Sequence, residues 1–288
     1  PYIGHSTQVS GVEEHMLIKG KGKGMTLLQI RNGLGLNITL SADRAMDISR
    51  IEYRGTNIGY FSPCGYVAPQ FYDKNGSGFL KSFTAGFMTT CGITAVGSPC
   101  TDEGETLPLH GTVSNTPCEN YYYTENDDEI KVHAVVRDAA LFDKQLLLHR
   151  TFTVSKHENS VQISDSVENI GSSASPCMLL YHINIGYPIL SENAFLNIPH
   201  QHVKARNEHA QEDIDNCLIM EKPQRGYEER CYYYDVADKD NIGTVGIFNP
   251  KENRGLTISF DKSTLDCFTQ WKMMGEHEYV LGLEPGNC

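Results

Sequence analysis

The stretch EIKVHAVVRDAALFDKQLLLHRTFTVSKHENSVQISDSV, residues 129–167, decides the fold class. It contains three runs that we predict to be strands, at 129–136, 145–154 and 160–167. In the third run, Val161-Gln162-Ile163-Ser164 alternates apolar and polar side chains, as a strand with one face in water does. Asn126-Asp127-Asp128 and Asn169-Ile170-Gly171 supply turn-forming residues on either side. The stretch therefore predicts consecutive strands joined by turns.

The same pattern continues over most of the chain. Asn32-Gly33 suits a tight hairpin turn, and helix signals are scarce, with one short polar candidate around Glu208–Asp215. The segment from Gly55 to Pro117 is less regular, as functional loops often are. We predict an all-β protein, a large antiparallel sandwich or barrel, forming a single domain over residues 1–288. The remaining predicted strands are 25–30, 35–40, 177–185, 244–248, 257–260 and 279–283.

Composition excludes several classes of protein. The chain has 288 residues, 24 Lys+Arg and 36 Asp+Glu, hence a formal charge of -12, which argues against nucleic acid and anionic membranes as partners. No apolar stretch approaches the length of a spanning helix, and the first residues lack the features of a secretory signal. Nine Cys without a CxxC pair indicate free thiols rather than disulfides or a metal site. We therefore expect a cytoplasmic protein.

Three segments carry candidate chemistry. Leu109-His110-Gly111-Thr112 places a His beside a Gly at the end of the irregular segment. In LLYHINIGY, residues 179–187, His182 and Asn184 alternate with apolar residues and so project from one strand face. In LGLEPGN, residues 281–287, Glu284 ends an apolar strand. Each feature alone is commonly structural, but two imidazoles and a carboxylate together supply what general acid–base catalysis near neutral pH needs.

These segments resemble the aldose 1-epimerase (galactose mutarotase-like) superfamily, and most closely a bacterial branch whose substrates are poorly assigned. The resemblance spans most of the chain. It implies a single large antiparallel β super-sandwich with a sugar site in a concave groove on one sheet. Its further landmarks are ADRAMDISR (42–50), GYFSPCGYVAP (59–69), FLKSFTAGFMTTCGITAVGSPC (79–100), LPLHGTVSNTPC (107–118), LLYHINIGYPIL (179–190) and QWKMMG (270–275).

The resemblance also implies roles for individual residues. His182 corresponds to the family's general acid, Glu284 to its general base and His110 to a sugar-binding His. The family's acidic residue that holds sugar hydroxyls has its nearest match in Arg225-Gly226-Tyr227-Glu228-Glu229, so either Glu228 or Glu229 is expected to serve.

Other residues are expected to line the groove. A cationic residue is usual there, and Arg44, Lys81 and Lys272 are the candidates, with Arg44 and Lys272 favoured by their motifs. Asn184 is expected to contact the sugar from the face of His182. Trp271, the only Trp, either stacks on a sugar or belongs to the core.

The activity that the resemblance implies is the interconversion of the α and β anomers of a free sugar. Both steps are proton transfers, so no metal or organic cofactor is expected. The alternatives are an epimerase for a phosphorylated or acidic sugar and a non-catalytic carbohydrate-binding module on the same fold. The expected partner is a small-molecule sugar, and a homodimer is left open. Family members commonly continue beyond the position of Cys288, so C-terminal truncation is a further expectation.

Overall fold

The regular secondary structure is almost entirely β-strand in the computed structural model, which describes all of residues 1–288. None of its helices is long and apolar enough to cross a membrane. The one α-helix, α1, is Glu208–Gln211, and short 3-10 turns lie at Ser6–Gln8, Pro69–Phe71, Gly78–Lys81, Val113–Asn115 and Ile214–Asn216. The strands, β1 to β23 in chain order, are Gly11–Met16, Thr26–Arg31, Leu36–Ser41, Asp47–Tyr53, Thr56–Asn57, Tyr60–Phe61, Ala85–Gly86, Met88–Ile93, Cys100–Asp102, Glu105–Leu107, Cys118–Glu125, Glu129–Ala139, Gln145–Ser155, Val161–Asn169, Met178–Ile185, Phe195–Asn197, His200–Ala205, Arg230–Val236, Asp238–Lys239, Ile242–Asn249, Arg254–Asp261, Cys267–Gly275 and Glu278–Gly286.

The all-β prediction is confirmed, and so is the predicted hairpin. β2 and β3 pair antiparallel with Leu28 opposite Leu40. Between them, the Asn32 carboxamide oxygen accepts hydrogen bonds from the backbone N–H groups of Leu34 and Leu36, while Gly33 adopts a φ of 84°. The turn therefore forms because Asn closes it with its side chain and Gly tolerates the left-handed conformation.

Two compact units divide the chain between them. One comprises Pro1–Thr56, Cys64–Thr84 and Thr89–Met178, and the other comprises Asn57–Pro63, Ala85–Met88 and Leu179–Cys288. The prediction of one domain over residues 1–288 remains a prediction.

The first unit contains the antiparallel strands β1-β2-β3-β4 of one sheet, the antiparallel sheet β11-β12-β13-β14 and the small β9–β10 hairpin. In β12 and β13 the residues alternate between buried and partly exposed, as the sequence pattern predicts. Arg150 of β13 interrupts the apolar side. Its guanidinium donates to the Ala45 carbonyl and pairs with Asp47 at 2.8 Å and Asp165 at 2.6 Å. This buried ion triad ties the β13 sheet to the start of β4.

The second unit contains the sheet that carries the candidate chemistry. Its strands β17, β18, β22, β23 and β15 are neighbours in that order, and each pairs antiparallel with the next. β23 is the central strand of β22, β23 and β15, and from Val280 to Gly286 it is buried throughout. A side chain on β23 is consequently surrounded by side chains from both neighbouring strands.

Candidate active site

Glu284 and His182 lie next to each other on adjacent strands of the second unit. β15 pairs with β23 so that Ile183 faces Leu283, which places the preceding residue, His182, opposite Glu284. Nε2 of His182 lies 3.3 Å from Oε1 of Glu284. The two residues are only 5% and 3% exposed. The sequence-predicted acid and base are thus a buried, directly contacting pair.

Two buried oxygen atoms at this site, one on Glu284 and one on Asn184, receive no hydrogen bond from the protein. Oε1 of Glu284 and Oδ1 of Asn184 are both buried and receive no hydrogen bond, although the Asn184 amide group donates to the His182 carbonyl at 2.9 Å. Buried polar atoms in folded proteins are nearly always hydrogen-bonded. A ligand that brings hydroxyl donors would satisfy both atoms, and a polyol is such a ligand.

Gly282 makes room for the Glu284 carboxyl group. It lies two residues before Glu284 on the same face of β23 and faces Trp271 of β22. A Cβ atom at Gly282 would collide with Oε1 of Glu284 and approach Cβ of Trp271 to 3.0 Å. Position 282 therefore requires glycine, because any side chain there would displace the Glu284 carboxyl group.

Burial dominates the electrostatics of Glu284. The loss of water, reinforced by the negative charge of Glu229, raises the pKa of Glu284 to about 8, while the positive charge of Arg206 acts in the opposite direction. Burial therefore favours the protonated carboxyl group near neutral pH, and the carboxylate is the form that can accept a proton. A base with a pKa near the working pH accepts and returns a proton readily, as a reversible reaction requires.

Glu229, rather than Glu228, belongs to this face of the sheet. Trp271 donates its indole N–H to Oε2 of Glu229 at 2.6 Å, and Arg206 donates to Oε1 at 2.7 Å. The Trp271 ring stands edge-on to His182, with ring centroids 5.3 Å apart. Glu228 is exposed. Of the two, Glu229 is therefore the one that lies beside Trp271, and the expectation that it holds a sugar hydroxyl group stays a prediction.

Lys272 does not join this face. Because Trp271 points toward Gly282 and Glu284, the next residue of β22 points to the other face of the sheet. Lys272 is fully buried there, with its ammonium group 3.2 Å from Glu221 and 3.5 Å from Asp213. The ammonium group therefore holds the 213–221 segment against the sheet, on the face opposite Glu284, and the expected role of Lys272 in lining the groove stays a prediction.

His110 lies in the first unit, in a backbone conformation that explains its neighbour. Its own φ is 58°, and Gly111 follows with a φ of 73°. A Cβ atom at Gly111 would collide with the carbonyl oxygen of Gly92. The His110 ring packs 5.4 Å from that of Phe79, and the backbone N–H of Gly97 donates to its Nδ1 at 3.4 Å. The His-Gly motif is thus a tight turn that fixes the imidazole, and its sugar-binding role stays a prediction.

Arg44 and Lys81, the other cationic candidates, also belong to the first unit. Arg44 is 6% exposed and donates to the carbonyls of Ser114, Val67 and Ser82. Burial lowers its pKa to about 10. Arg44 therefore clamps three separate loop segments together. Lys81 is exposed and pairs with Asp73 at 3.2 Å.

Comparison with known proteins places the chain in a family. Residues 22–288 match the profile of the family described as domain of unknown function DUF4432. The chain belongs to the DUF4432 family. No curated protein gives a significant match to it.

Several solved structures resemble this DUF4432 protein in fold. A candidate aldose 1-epimerase from Klebsiella pneumoniae is 29% identical, with a TM-score of 0.89 over 96% of this chain and 74% of that one. A galactose mutarotase-like protein from Clostridium acetobutylicum has a TM-score of 0.72 at 12% identity, covering 97% of this chain and 88% of that one. The galactose 1-epimerase of Lactobacillus acidophilus has a TM-score of 0.59 at 11% identity, covering 96% and 90%. The DUF4432 chain therefore has the antiparallel super-sandwich fold of galactose mutarotase-like proteins, as its sequence predicted.

One residue of this DUF4432 site is missing from the sequence-based candidates. Arg206 follows β17 and reaches Glu229, which precedes β18. The signal was present, since Lys204 and Arg206 follow the alternation of HQHVKAR and share one strand face. What the sequence does not contain is the pairing of β17 with β18, which brings that face beside Glu229.

Proposed function

We propose that this protein is an isomerase of the aldose 1-epimerase type, which interconverts the α and β anomers of a free sugar. One observation carries the proposal. A buried carboxyl oxygen without a hydrogen-bond donor, on Glu284, lies 3.3 Å from an imidazole nitrogen of His182. A module that only binds sugars needs no such acid–base pair. The Klebsiella pneumoniae protein, at 29% identity, is a candidate for the same activity.

Ring opening needs two proton transfers at neighbouring oxygens. Glu284, as carboxylate, removes the proton of the C1 hydroxyl group, and the electron pair left on that oxygen forms the C1 carbonyl. The bond between C1 and the ring oxygen breaks, and protonated His182 gives its proton to that oxygen. After rotation about the C1–C2 bond, the hydroxyl group attacks the other face of the carbonyl and both protons return. Each positioned transfer contributes roughly 10²–10⁴-fold in rate.

Asn184 and the dry surroundings support this chemistry. The Asn184 carboxamide oxygen is buried and ready to accept from a sugar hydroxyl group. Since Glu284 and His182 are almost fully shielded from water, the interaction of their charges with the developing charges on the sugar is strong. Asn184 therefore orients the sugar while the pair exchanges protons.

The placement of Lys272 weakens the case for an anionic sugar. Among the cations considered from sequence, Lys272 is bound to carboxylates on the other face of the sheet, and Arg44 is bound to three carbonyls. Recognition of a phosphate or carboxylate group needs cationic donors that are available to it. An uncharged sugar fits the Glu284 face better.

Replacing Glu284 tests the proposal directly. We expect E284Q to abolish anomer interconversion while leaving the fold intact, because Gln has nearly the shape of Glu but cannot accept the proton. Polarimetry of freshly dissolved α-anomers, over a panel of neutral hexoses and pentoses, measures the rate. E278Q is the matched control, since Glu278 is an exposed residue of the same strand. Equal rates for E284Q and the wild-type protein would reject the mechanism.

A further inference from the structure

The single tryptophan is held by two oriented contacts. Its indole N–H donates to Oε2 of Glu229 at 2.6 Å, and its ring edge meets the His182 imidazole at an interplanar angle of 74°. A charge-assisted hydrogen bond fixes the indole in one rotation. The indole in turn restricts the imidazole, because an edge-to-face contact loses its favourable geometry when either ring turns.

Glu229 is itself fixed by Arg206. The guanidinium group donates to Oε1 at 2.7 Å, so each carboxylate oxygen of Glu229 has one donor from the protein. The backbone N–H of Arg206 also donates to the carbonyl of Cys231, the residue opposite Trp271 in the β18–β22 pairing. Arg206, Glu229 and Trp271 thus form a continuous row of contacts that ends at His182.

The same row brings two opposite charges near Glu284. The Glu229 carboxylate raises the pKa of Glu284 and the Arg206 guanidinium lowers it. His182 is the contacting partner of Glu284, and Cys231 and Tyr233 of β18 also interact with Glu284. Burial raises the pKa of Cys231 to about 12 and that of Tyr233 above its usual value, so both side chains are neutral near pH 8. The charges that act on the pKa of Glu284 are therefore those of Glu229 and Arg206.

We propose that Arg206, Glu229 and Trp271 form a positioning chain that orients His182 and balances the charge beside Glu284. Glu229 then acts on the reaction through Trp271 and Glu284, and its role in holding a sugar hydroxyl group is not required. This inference rests on the proposed function only in assigning the acid to His182 and the base to Glu284. The positioning chain of Arg206, Glu229 and Trp271 is a property of the folded protein and is testable without a substrate.

Two single substitutions separate this role from a merely structural one. E229Q removes the negative charge, so we expect the titration of the Glu284 carboxyl group to move to lower pH by ~0.5 unit or more. R206Q removes the positive charge, so we expect the titration of Glu284 to move to higher pH by a similar amount. The double variant E229Q/R206Q returns the titration toward the wild-type position. General loosening of the fold would not produce shifts of opposite sign that cancel.

Carboxyl ¹³C NMR of protein labelled at Glu side chains follows this titration, and the signal that disappears in E284Q assigns Glu284. K204Q is the matched control, because it removes an exposed positive charge two residues before Arg206 that makes no ion pair with Glu229. We expect the K204Q titration to match that of the wild-type protein. Shifts of the same sign in E229Q and R206Q, or no shift in either, would overturn the inference.

Trp271 provides a second readout, because the protein has one Trp and therefore one indole N–H resonance. We expect that resonance to move upfield in E229Q, where a neutral amide replaces the carboxylate acceptor, and to stay in place in K204Q. An unchanged resonance in E229Q would show that the indole is not held by Glu229. If the NMR shifts occur as expected but no sugar is interconverted, the positioning chain stands and the proposed function fails.

Discussion

At the residue scale, the position of the Glu284 carboxyl group depends on the absence of a side chain at Gly282. G282A introduces a methyl group that collides with Oε1 of Glu284. Since the atom in the way is the end of a flexible side chain, the strand can stay in place while the carboxyl group moves. A displacement of about 1 Å can cost about 10²-fold in rate. We expect a loss of that order in kcat for G282A, with a thermal unfolding midpoint close to that of the wild-type protein.

Polarimetry and a thermal melt on the same preparation check this expectation. G4A is a control for the added methyl group, because a Cβ atom at Gly4 meets no atom within 4 Å. Full activity in G282A would mean that the reacting carboxyl group does not occupy the position next to Gly282.

At the element scale, β13 depends on a charge in its apolar face. Arg150 is fully buried between Asp47 and Asp165, and Thr90 donates two further hydrogen bonds to Asp47. R150M keeps the bulk but leaves two buried carboxylates without their cation. Breaking a buried ion pair on one side commonly costs about 3–5 kcal/mol. We expect urea unfolding to show a loss of this order in the free energy of unfolding.

The size of that loss is expected to depend on pH. Burial raises the pKa of Asp47 and the charge of Arg150 opposes that effect, so without Arg150 the Asp47 carboxylate binds a proton more readily in the folded protein. The difference in stability between R150M and the wild-type protein therefore narrows as the pH falls. R137M is the control, because Arg137 of β12 pairs with Glu119 at an exposed position and such pairs contribute about 0–1 kcal/mol. Equal stability of R150M and R137M would show that the triad is not a stabilising element.

Strands were predictable where burial alternates along them. Gln145–Ser155 alternates over its whole length, and its predicted bounds differ from the observed ones by one residue. β17 and β18 carry mixed polar and aromatic residues, HQHVKA and RCYYYDV, and their strand character depends on partners distant in sequence. Alternation is a local property, whereas the choice of partner strand is not.

At the scale of the whole molecule, the sequence indicates which residues matter but not which side of a sheet they occupy. The motif QWKMMG contains Trp271 and Lys272 as neighbours. Only the pairing of Trp271 with Gly282 shows that the indole, and not the ammonium group, lies with Glu284. A one-residue change of register would exchange their faces. Glu284 and His182 could be singled out because their motifs resemble those of a known family. Arg206 could not, because its partner Glu229 is 23 residues away and is brought to it only by the pairing of β17 with β18.

The elevated pKa of Glu284 also makes a prediction for the stability of the entire protein. Its ordinary value is 4.5 and its value in the fold is about 8, so the folded protein binds a proton more tightly than the unfolded chain. The stabilisation is therefore fully present below about pH 4.5 and is lost as the pH rises to about 8. E284Q cannot ionise and does not lose it. The quantity to follow is the difference in thermal unfolding midpoint, E284Q minus wild-type protein. We expect this difference to grow from about pH 4.5 to about pH 8 and to stay level above about pH 8. Melts at half-unit pH intervals with E278Q as control measure the difference, and a difference that shrinks with rising pH would mean that the folded protein prefers Glu284 as a carboxylate.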